Sequence, residues 1–368
     1  MSVGVLFGGP SPEHDISILT GLQALHELAR RGHDVTGIYW TKTGAWMGVP
    51  VDTEADSFAE GLPKGAGALL LHLGDDGGFY TGAGRLGRER RIDLDAVVLA
   101  THGGPGEDGT LQGALDLAGV PYTGPDVAGA SLGMDKWSFA AVAATLGLPT
   151  LARVLLRGDE TELPFEGPYI LKPRFGGSSI GIDVVADLAT AKARLTSNAH
   201  LSRGCVLEPY RRDLYDVQIA VRTYPTVQLS AIERPLRRSA DAEILHYRDK
   251  YVGGEGMVTA PRELPAVLAS GQAQVIEACV RTLVGGASIR GVARIDFLAN
   301  DAELYVNEIN TIPGSLSKYL FVDPPLAFGD LLEDLLREAR ERPTHGYSTL
   351  GADGLVLRSA GSIAAKLA

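Results

Sequence analysis

The stretch that indicates the fold class is Val3-Gly4-Val5-Leu6-Phe7, which is followed directly by Gly8-Gly9. A short, continuous apolar run that ends at glycine residues is typical of a strand buried on both faces of a parallel sheet. An amphipathic helix pattern follows, with Ser17 placed to cap its start. The run from Val35 to Tyr39 then predicts the next strand. The chain therefore begins with the strand–loop–helix–strand unit of an open α/β domain.

The same unit recurs with a strand pattern at Ala96 to Ala100, a glycine-rich turn and a helix pattern at Leu111 to Leu117. Ligands in open α/β domains collect at the carboxyl ends of the strands, where both glycine-rich loops lie. Backbone N–H groups there can receive an anion, and His102 lies at the end of the strand pattern at Ala96 to Ala100. Each loop taken alone also fits a tight turn with a helix-start acid such as Glu13.

Composition excludes several classes of protein. The chain has 368 residues, enough for two to three domains, and its formal net charge is −11. This acidic balance argues against a nucleic acid or an anionic membrane as the main partner. Cys205 and Cys279 are single cysteines, so neither a disulfide framework nor a structural zinc site is indicated. We expect a globular protein of the reducing cytoplasm, without export and without a membrane span.

The rest of the chain divides into two further patterns. Tyr169 to Lys172 and Gly181 to Val185 read as two strands joined in a hairpin with a glycine-serine tip. The segment after about residue 216 reads as an α+β domain. It contains four strand patterns and one helix pattern, at Val217 to Tyr224, Val227 to Ile232, Ala293 to Leu298, Leu304 to Glu308 and Ala266 to Leu283.

The glycine-serine tip, Gly176 to Gly181, has two readings. Its amides and hydroxyls could cradle a phosphate. It also matches G-x-S-x-G, the nucleophile elbow of α/β hydrolases, with Ser179 as nucleophile and Asp296 and His345 later in the chain. An elbow needs a strand that runs directly into the serine and a helix that leaves it. The strand pattern ends eight residues before Ser179, so we prefer the phosphate-binding hairpin.

Two strand patterns near the end carry polar groups on one face. Side chains alternate along a strand, so Arg294 and Asp296 share a face, as do Glu308 and Asn310. Carboxylate and amide oxygens are ligands that suit Mg²⁺, which commonly bridges substrate phosphates. An exposed pair of strands with solvated charges is the alternative, but the apolar residues on the same runs imply that these strands are covered.

Nucleotide binding, if present, does not use a Walker A motif, because the chain has none. Lys136, Lys172 and Lys250 could neutralise a polyphosphate, although each one alone reads more readily as a surface charge. Lys172 ends an apolar strand, where a buried ammonium without an anion is costly. Glu208 follows Val206-Leu207 in a strand pattern whose backbone and carboxylate could meet an adenine edge.

Seven motifs in order, spanning about residues 3 to 342, resemble the D-alanine–D-alanine ligase family of ATP-grasp enzymes. They are Phe7-Gly8-Gly9 with Glu13-His14, His102-Gly103 with Gly106 to Gly113, Met134-Asp135-Lys136, Lys172-Pro173 with Gly177 to Gly181, Lys250-Tyr251, Arg294 to Phe297, and Asn307 to Gly314. The resemblance implies α/β and α+β folding in a three-domain ATP-grasp architecture. The implied divisions are an N-terminal open α/β (pre-ATP-grasp) domain at 1–134, a central domain at 135–215, a C-terminal domain at 216–344 and a tail at 345–368.

The resemblance also implies an ATP site and a metal site. ATP would lie between the central and C-terminal domains, held by Lys136, Lys172 and Glu208 together with loop serines and Lys250. The loop serines are Ser178 and Ser179. Two Mg²⁺ ions are implied, with Mn²⁺ as a substitute. The metal ligands would be Asp296, Glu308 and Asn310.

The implied reaction phosphorylates one amino acid's carboxylate to an acyl phosphate, which the amine of a second amino acid attacks. Glu13 would take the donor ammonium and form a linked trio with Ser178 and Tyr251. His102 would lie near the donor carboxylate. The oxyanion of the tetrahedral intermediate would be stabilised by Arg294 and by the backbone N–H of Gly314. Lys250 would follow the migrating phosphoryl group.

The segment after Gly314 departs from the family pattern. Tyr319 occupies the register where the family has a serine that contacts the acceptor carboxylate, and Lys318 precedes it. These two residues are therefore candidates for acceptor binding. Two alternatives remain open beside a dipeptide ligase, namely another ATP-grasp carboxylate–amine ligase of a specialised natural-product pathway and a catalytically silent nucleotide-binding regulator. Amino acids and ATP are the expected partners, and the resemblance allows a homodimer.

Overall fold

The computed structural model describes residues 1–82, 88–236, 261–344 and 348–363. Its first sheet has seven strands in the order β6-β5-β4-β3-β2-β1-β7. The strands are β1 Ser2–Gly8, β2 Asp34–Trp40, β3 Trp46–Val49, β4 Gly67–His72, β5 Gly78–Thr81, β6 Arg90–Arg91 and β7 Ala96–Leu99. Strand β1 runs parallel to both β2 and β7, and the remaining pairs are antiparallel. The predicted open α/β unit is confirmed.

Helix α1, His14–Arg30, packs on this sheet through its apolar face. The prediction that Ser17 caps the helix is wrong, because the helix begins three residues earlier and Ser17 lies inside it. The Ser17 hydroxyl is fully buried, accepts the Gly8 N–H at 2.6 Å and donates to the Ala100 carbonyl at 2.8 Å. This side chain therefore ties helix α1 to the ends of two strands.

The second sheet has the order β10-β9-β11-β8 and contains the predicted hairpin. Its strands are β8 Val154–Leu156, β9 Tyr169–Pro173, β10 Asp183–Val185 and β11 Cys205–Pro209, and helix α5, Leu188–Ser197, packs against it. Strands β9 and β10 are antiparallel and are joined through the glycine-serine segment. No helix follows Ser179 directly, in agreement with the rejection of the nucleophile elbow.

The third sheet has the order β13-β12-β16-β17. Its strands are β12 Tyr215–Arg222, β13 Gln228–Leu229, β16 Val292–Ala299 and β17 Leu304–Asn310. Antiparallel pairing sets Arg294 opposite Asn310 and Asp296 opposite Glu308, so the predicted convergence of four polar groups is confirmed. Helix α6, Gln272–Gly286, covers this sheet and begins later than the predicted Ala266.

The remaining elements are short or connect the three sheets. They are helices α2 Thr110–Leu117, α3 Val127–Met134, α4 Lys136–Thr145, α7 Phe328–Glu341 and α8 Leu355–Ala360, the ribbon of β14 Arg234–Pro235 and β15 Arg262–Glu263, and 3₁₀ turns at Ala55–Phe58, Gly104–Gly106, Ala199–Leu201 and Gly314–Leu320. None of the helices in the described ranges is long and apolar enough to cross a membrane.

Two helices pack outside the core of their own sequence segment. Helix α4 carries Phe139 into the core of the third sheet, although it directly follows the first segment. Helix α7 contributes Leu331, Leu332, Leu335 and Leu336 to the core of the first sheet. The cores and the predicted divisions therefore do not coincide at these helices, and the boundaries at 134, 215 and 344 stay predictions.

Close packing of helix α1 on strand β1 depends on Gly21. A Cβ atom at this position would lie 2.4 Å from Cβ of the fully buried Phe7, whereas a Cβ at the helical Gly285 would meet nothing within 4 Å. We expect Gly21→Ala to lower the free energy of unfolding by about 1–2 kcal/mol, because overpacking outweighs the gain in helix propensity. The control Gly285→Ala should be neutral or stabilising by up to about 1 kcal/mol. Urea unfolding tests both, and shifts of the same sign and size would contradict the packing argument.

Candidate functional site

A cleft opens between the second and third sheets. One wall comes from β9, β11 and the glycine-serine loop, and the other comes from β16 and β17. Its lining combines apolar and polar side chains and includes Leu151, Ile170, Ile182, Leu298, Lys136, Lys172, Ser179, Glu208, Asp296, Asn307 and Glu308. We call this space the first cavity. We call the part formed by Lys136, Lys172, Glu208 and Glu308 its charged end.

The fully buried carboxylate of Glu208 organises the charged end. It accepts a hydrogen bond from Lys172 Nζ at 2.8 Å and forms an ion pair with Arg153 Nε at 3.1 Å. Burial alone would raise the pKa of Glu208, but the two cations reverse this and lower it. Lys172 also donates to Asn307 Oδ1 at 3.0 Å, and Arg153 donates to the Asn307 carbonyl at 2.9 Å. The cluster joins the second sheet to the third.

Lys136 places another ammonium at the same end. Asp135 caps helix α4 by accepting the N–H groups of Trp137 and Ser138, which sets Lys136 at the first turn. Lys136 Nζ donates to the Gly176 carbonyl at 2.7 Å and pairs with Glu308 at 2.7 Å. Three buried or nearly buried cations, including Lys172 and Arg153, thus face two carboxylates. Such a local excess of positive charge in an acidic protein suits an anionic ligand.

The polar face of the third sheet lies beside these lysines. Arg294 makes two hydrogen bonds to Asp296, at 2.7 and 2.8 Å, and Asn310 Nδ2 donates to Asp296 Oδ2 at 3.1 Å. Within the described ranges, no group of three or more His, Cys, Asp or Glu residues is arranged to hold a metal ion. Two carboxylates and one amide, at Asp296, Glu308 and Asn310, nevertheless form a set of hard oxygen donors. They fit a metal that takes its remaining ligands from phosphate and water.

A second cavity lies where the first sheet's loops meet the third sheet. Its lining is mostly polar and includes Glu13, His102, Glu107, Ser178, Arg294, Asn310, Pro313 and Gly314. Lys136, Gly176, Gly177 and Glu308 line both cavities. The two spaces therefore meet at the Lys136–Glu308 ion pair.

Glycines make room for Glu13 in the second cavity. Ser178 Oγ donates to a Glu13 carboxylate oxygen in a short hydrogen bond. A Cβ atom at Gly103 would lie 2.5 Å from Glu13 Oε2, and one at Gly177 would lie 2.7 Å from the same atom. Gly103 also has φ +64°, a conformation that favours glycine. The loops of two sheets can thus close around the Glu13 carboxylate because the positions that face it, Gly103 and Gly177, are glycines.

His102 and Glu107 connect the first sheet's loop to Ile312. His102 Nδ1 lies 2.7 Å from the Ile312 carbonyl, and burial lowers the pKa of this imidazole to about 4. Glu107 accepts the N–H groups of Gly103 at 2.9 Å and Ile312 at 3.1 Å. Burial, with the nearby charge of Glu13, raises the pKa of Glu107 to about 7. A neutral imidazole and a carboxyl group that titrates near neutrality therefore border the same cavity.

The structure does not bring Lys318 and Tyr319 into the lining of either cavity. Ser315, Leu316 and Ser317 all have φ near +50°, so the chain leaves the extended register directly after Gly314. The Lys318 ammonium lies 4.4 Å from the ring centre of Phe328, and burial lowers its pKa. The assignment of Lys318 and Tyr319 to the acceptor therefore stays a prediction, and this arrangement does not support it.

Most of the predicted site residues in the described ranges meet around the two cavities. Lys250, Tyr251 and His345 are outside the described residues. Sequence reasoning gave no role to Glu107, Arg153 or Asn307, which the structure places in the site. Glu107 and Asn307 belong to two of the motifs that resemble the family, Gly106 to Gly113 and Asn307 to Gly314. Arg153 carried no sequence signal, because its partners Glu208 and Asn307 are distant in the chain.

Comparison with known proteins gives matches over nearly the whole described chain. The family model "D-ala D-ala ligase N-terminus" matches residues 2–125, and "D-ala D-ala ligase C-terminus" matches residues 129–337. A D-alanine–D-alanine ligase from Deinococcus radiodurans is 30% identical over 357 residues, which cover 92% of this chain and 98% of the relative.

Solved structures agree with the sequence matches. The D-alanine–D-alanine ligase from Helicobacter pylori has a TM-score of 0.72 at 26% identity, and the match covers 94% of this chain and 100% of that one. VanG D-Ala:D-Ser ligase from Enterococcus faecalis has a TM-score of 0.74 at 24% identity, covering 92% and 99%, which shows a shared fold. These two ligases share one fold, although their names differ in the second amino acid.

Glu107 should make stability depend on pH. Its carboxyl keeps a proton up to about pH 7 in the folded chain, but an ordinary glutamate loses it near 4.5. The free energy of unfolding therefore falls as pH rises between these values, by up to about 3 kcal/mol. Glu107→Gln should remove this pH-dependent contribution to the free energy of unfolding. The variant should therefore lose less stability between pH 4.5 and pH 8 than the wild type. Urea unfolding across this range measures the slopes, and equal slopes would show that Glu107 does not titrate there.

Proposed function

Because this chain belongs to the D-alanine–D-alanine ligase family, and is thus an ATP-dependent carbon–nitrogen ligase, we propose that it joins two amino acids into a dipeptide of the D-alanyl-D-alanine type. ATP is converted to ADP and phosphate. The proposed role is the supply of a peptidoglycan precursor in the cytoplasm, where ATP is available. Amino acids and ATP are the proposed partners, and a homodimer stays a prediction from the resemblance.

The observation that carries this proposal is the junction of the two cavities at Lys136 and Glu308. The first cavity offers apolar walls for a flat base and cations for phosphates. The second offers a carboxylate, an arginine and backbone groups, which suit small zwitterions such as amino acids. A phosphoryl group transferred from one ligand to the other would cross at the ion pair. Both ends of that path already carry the charges that the transfer needs.

Phosphates would bind at the charged end of the first cavity. Lys172 and Lys136 are nearly buried, so their charges are poorly screened by water and favour an anion strongly. Glu208 holds Lys172 in place through a hydrogen bond and is itself ion-paired with Arg153. We therefore propose that the Glu208 carboxylate positions the phosphate-binding lysine, and that its strand presents backbone groups to the base.

Asp296, Glu308 and Asn310 are the proposed Mg²⁺ ligands, with two ions expected and Mn²⁺ as a substitute. Asp296 and Glu308 are each paired with a cation in the structure, through Arg294 and Lys136. Both carboxylates therefore already lie beside a positive charge and are placed to accept a metal–phosphate complex. When bound, Mg²⁺ offsets the charge of the phosphoryl group during its transfer.

The positions of the side chains that line the second cavity suggest the order of the reaction steps. Glu13, fixed by Ser178, would bind the ammonium of the donor amino acid. The carboxylate of the donor would then face the Lys136–Glu308 pair. A donor carboxylate oxygen attacks the γ-phosphorus, ADP leaves, and an acyl phosphate forms. The acceptor nitrogen then attacks the carbonyl carbon and loses a proton. Arg294 and the Gly314 N–H stabilise the oxyanion, and phosphate leaves with the former carboxylate oxygen.

A substrate panel tests the proposal. The protein is incubated with ATP, Mg²⁺ and single D- or L-amino acids, followed by pairs, with phosphate release and product mass as readouts. We expect dipeptide and phosphate in equal amounts with D-alanine. If the main product is a mixed dipeptide, the acceptor is an amino acid other than D-alanine, and the proposed ligase chemistry still holds. Phosphate release without any dipeptide, or no ATP turnover with every amino acid, would reject the proposal.

Replacement of Glu308 by Gln should weaken metal use. We expect a higher Mg²⁺ requirement and a turnover at least about tenfold lower, which corresponds to about 1.4 kcal/mol of lost transition-state stabilisation. Glu333→Gln is the control. Glu333 lies on helix α7, pairs with His33 and lines neither cavity. Initial rates are measured against Mg²⁺ concentration. Identical Mg²⁺ curves for the wild type and Glu308→Gln would remove Glu308 from the metal set.

Replacement of Glu13 by Gln should impair donor binding. We expect the KM of the donor amino acid to rise by about tenfold or more while the KM for ATP changes little, because the lost charge faces the donor ammonium. Asp15→Asn is the matched control, since Asp15 is an exposed acid in the first turn of the same helix. Initial rates fitted with separate donor and acceptor constants give the result. A change confined to ATP would show that Glu13 serves the phosphate loop instead.

A further inference from the structure

We propose that Thr20 is a positioning residue for the turn that contains Gly314. Its hydroxyl lies between the His102 ring and the backbone of Ser315, and connects helix α1 to the edge of the second cavity. This inference rests on the proposed function, because it assigns Thr20 to holding the Gly314 N–H where the oxyanion forms.

The hydrogen bonds around Thr20 have only one consistent direction. The Ile312 carbonyl can only accept, so the His102 Nδ1–H donates to it at 2.7 Å. His102 is neutral, since burial lowers its pKa, and its Nε2 is therefore an acceptor. Thr20 must then donate its hydroxyl proton to His102 Nε2 at 2.8 Å, and its oxygen accepts the Ser315 N–H at 3.0 Å. The proton of this hydroxyl and one of its two lone pairs are thus used in one ordered series of hydrogen bonds.

This series of hydrogen bonds forms a closed loop with the backbone of the turn. It starts at the Ser315 N–H, passes through Thr20 and His102, and returns to the backbone at the Ile312 carbonyl. Pro313 and Gly314 are the two residues enclosed between its ends. The Ile312 N–H is held separately by Glu107. The first sheet's loop and helix α1 thus fix both sides of Gly314 from outside the turn.

The turn needs such external support because its backbone is strained. Ser315, Leu316 and Ser317 have φ values of 49°, 48° and 52°, a left-handed conformation that non-glycine residues seldom adopt. Strained conformations persist where the surroundings over-determine them, and they cluster at functional sites. Leu316 is buried in the first core, and the Ser315 N–H is held by Thr20. Thr20 thus supplies a side-chain hydrogen bond to the backbone of this left-handed segment.

The experiment compares Thr20→Val, Thr20→Ala and Thr20→Ser with the wild type. Valine keeps the shape and removes the hydroxyl, alanine avoids any misfit of valine, and serine restores both hydrogen bonds. Thr123→Val is the matched control, because Thr123 is a buried threonine that accepts the Leu99 N–H at 3.1 Å away from the site. Hydrogen exchange of the peptide spanning residues 312–320 is measured by mass spectrometry, together with kcat and each KM.

We expect Thr20→Val and Thr20→Ala to make one amide of this peptide, assigned to Ser315, exchange at least about tenfold faster. We also expect them to lower kcat by about fivefold or more, with the KM for ATP unchanged. Thr20→Ser and Thr123→Val should match the wild type. Unchanged exchange in both hydroxyl-free variants would overturn the proposal whatever the activity. Faster exchange with unchanged kcat, or equal losses of kcat in Thr123→Val, would also overturn it. Wild-type protein that makes no dipeptide would reject the proposed function separately, and the catalytic part of this inference with it.

Discussion

The buried carboxylate of Glu208 is the group on which the rest of the site depends. It lies in the second sheet and holds Lys172 and Arg153, and both of these cations also contact Asn307 in the third sheet. A buried charge is tolerated only when it is paired, so removal of Glu208 would leave two cations facing each other in a poorly hydrated cleft. The same cluster keeps one positive charge in excess once Lys136 and Glu308 are added. The interaction that joins the two sheets also prepares their cleft for an anion.

The first sheet joins this pair of sheets through loops in which glycines leave room for a carboxylate. Glu13 reaches Ser178 of the second sheet's loop because Gly103 and Gly177 leave space around it. Glu107 and His102 reach the backbone at Ile312 beyond the third sheet. Each sheet thus contributes one wall of the second cavity, and none of them could form it alone. A reaction that passes through an acyl phosphate requires such an enclosed cavity, because water would hydrolyse the intermediate.

Residues whose role depends on local period or motif were predictable. The period of two along a strand was enough to put Arg294 and Asp296 on one face and Glu308 and Asn310 on one face. The register that sets Asp296 opposite Glu308 comes from the pairing of β16 with β17. The role of Ser17 was missed because its hydroxyl bonds to strand ends rather than to its own helix. Arg153 and Thr20 were missed because their partners lie far along the chain. The register argument for Lys318 assumed a continuous backbone direction, and three consecutive left-handed residues that are not glycine gave no warning in the sequence.

The central claim is that a carboxylate in the second cavity receives the γ-phosphoryl group of a nucleotide in the first. Isotope transfer tests this most directly. The wild-type enzyme is incubated with ATP, Mg²⁺ and D-alanine labelled with ¹⁸O in both carboxylate oxygens, and the released phosphate is analysed by mass spectrometry. The account predicts one ¹⁸O atom in each phosphate released, since the oxygen that attacks phosphorus leaves with it. Dipeptide formed together with unlabelled phosphate would contradict an acyl phosphate and, with it, the assigned roles of the two cavities.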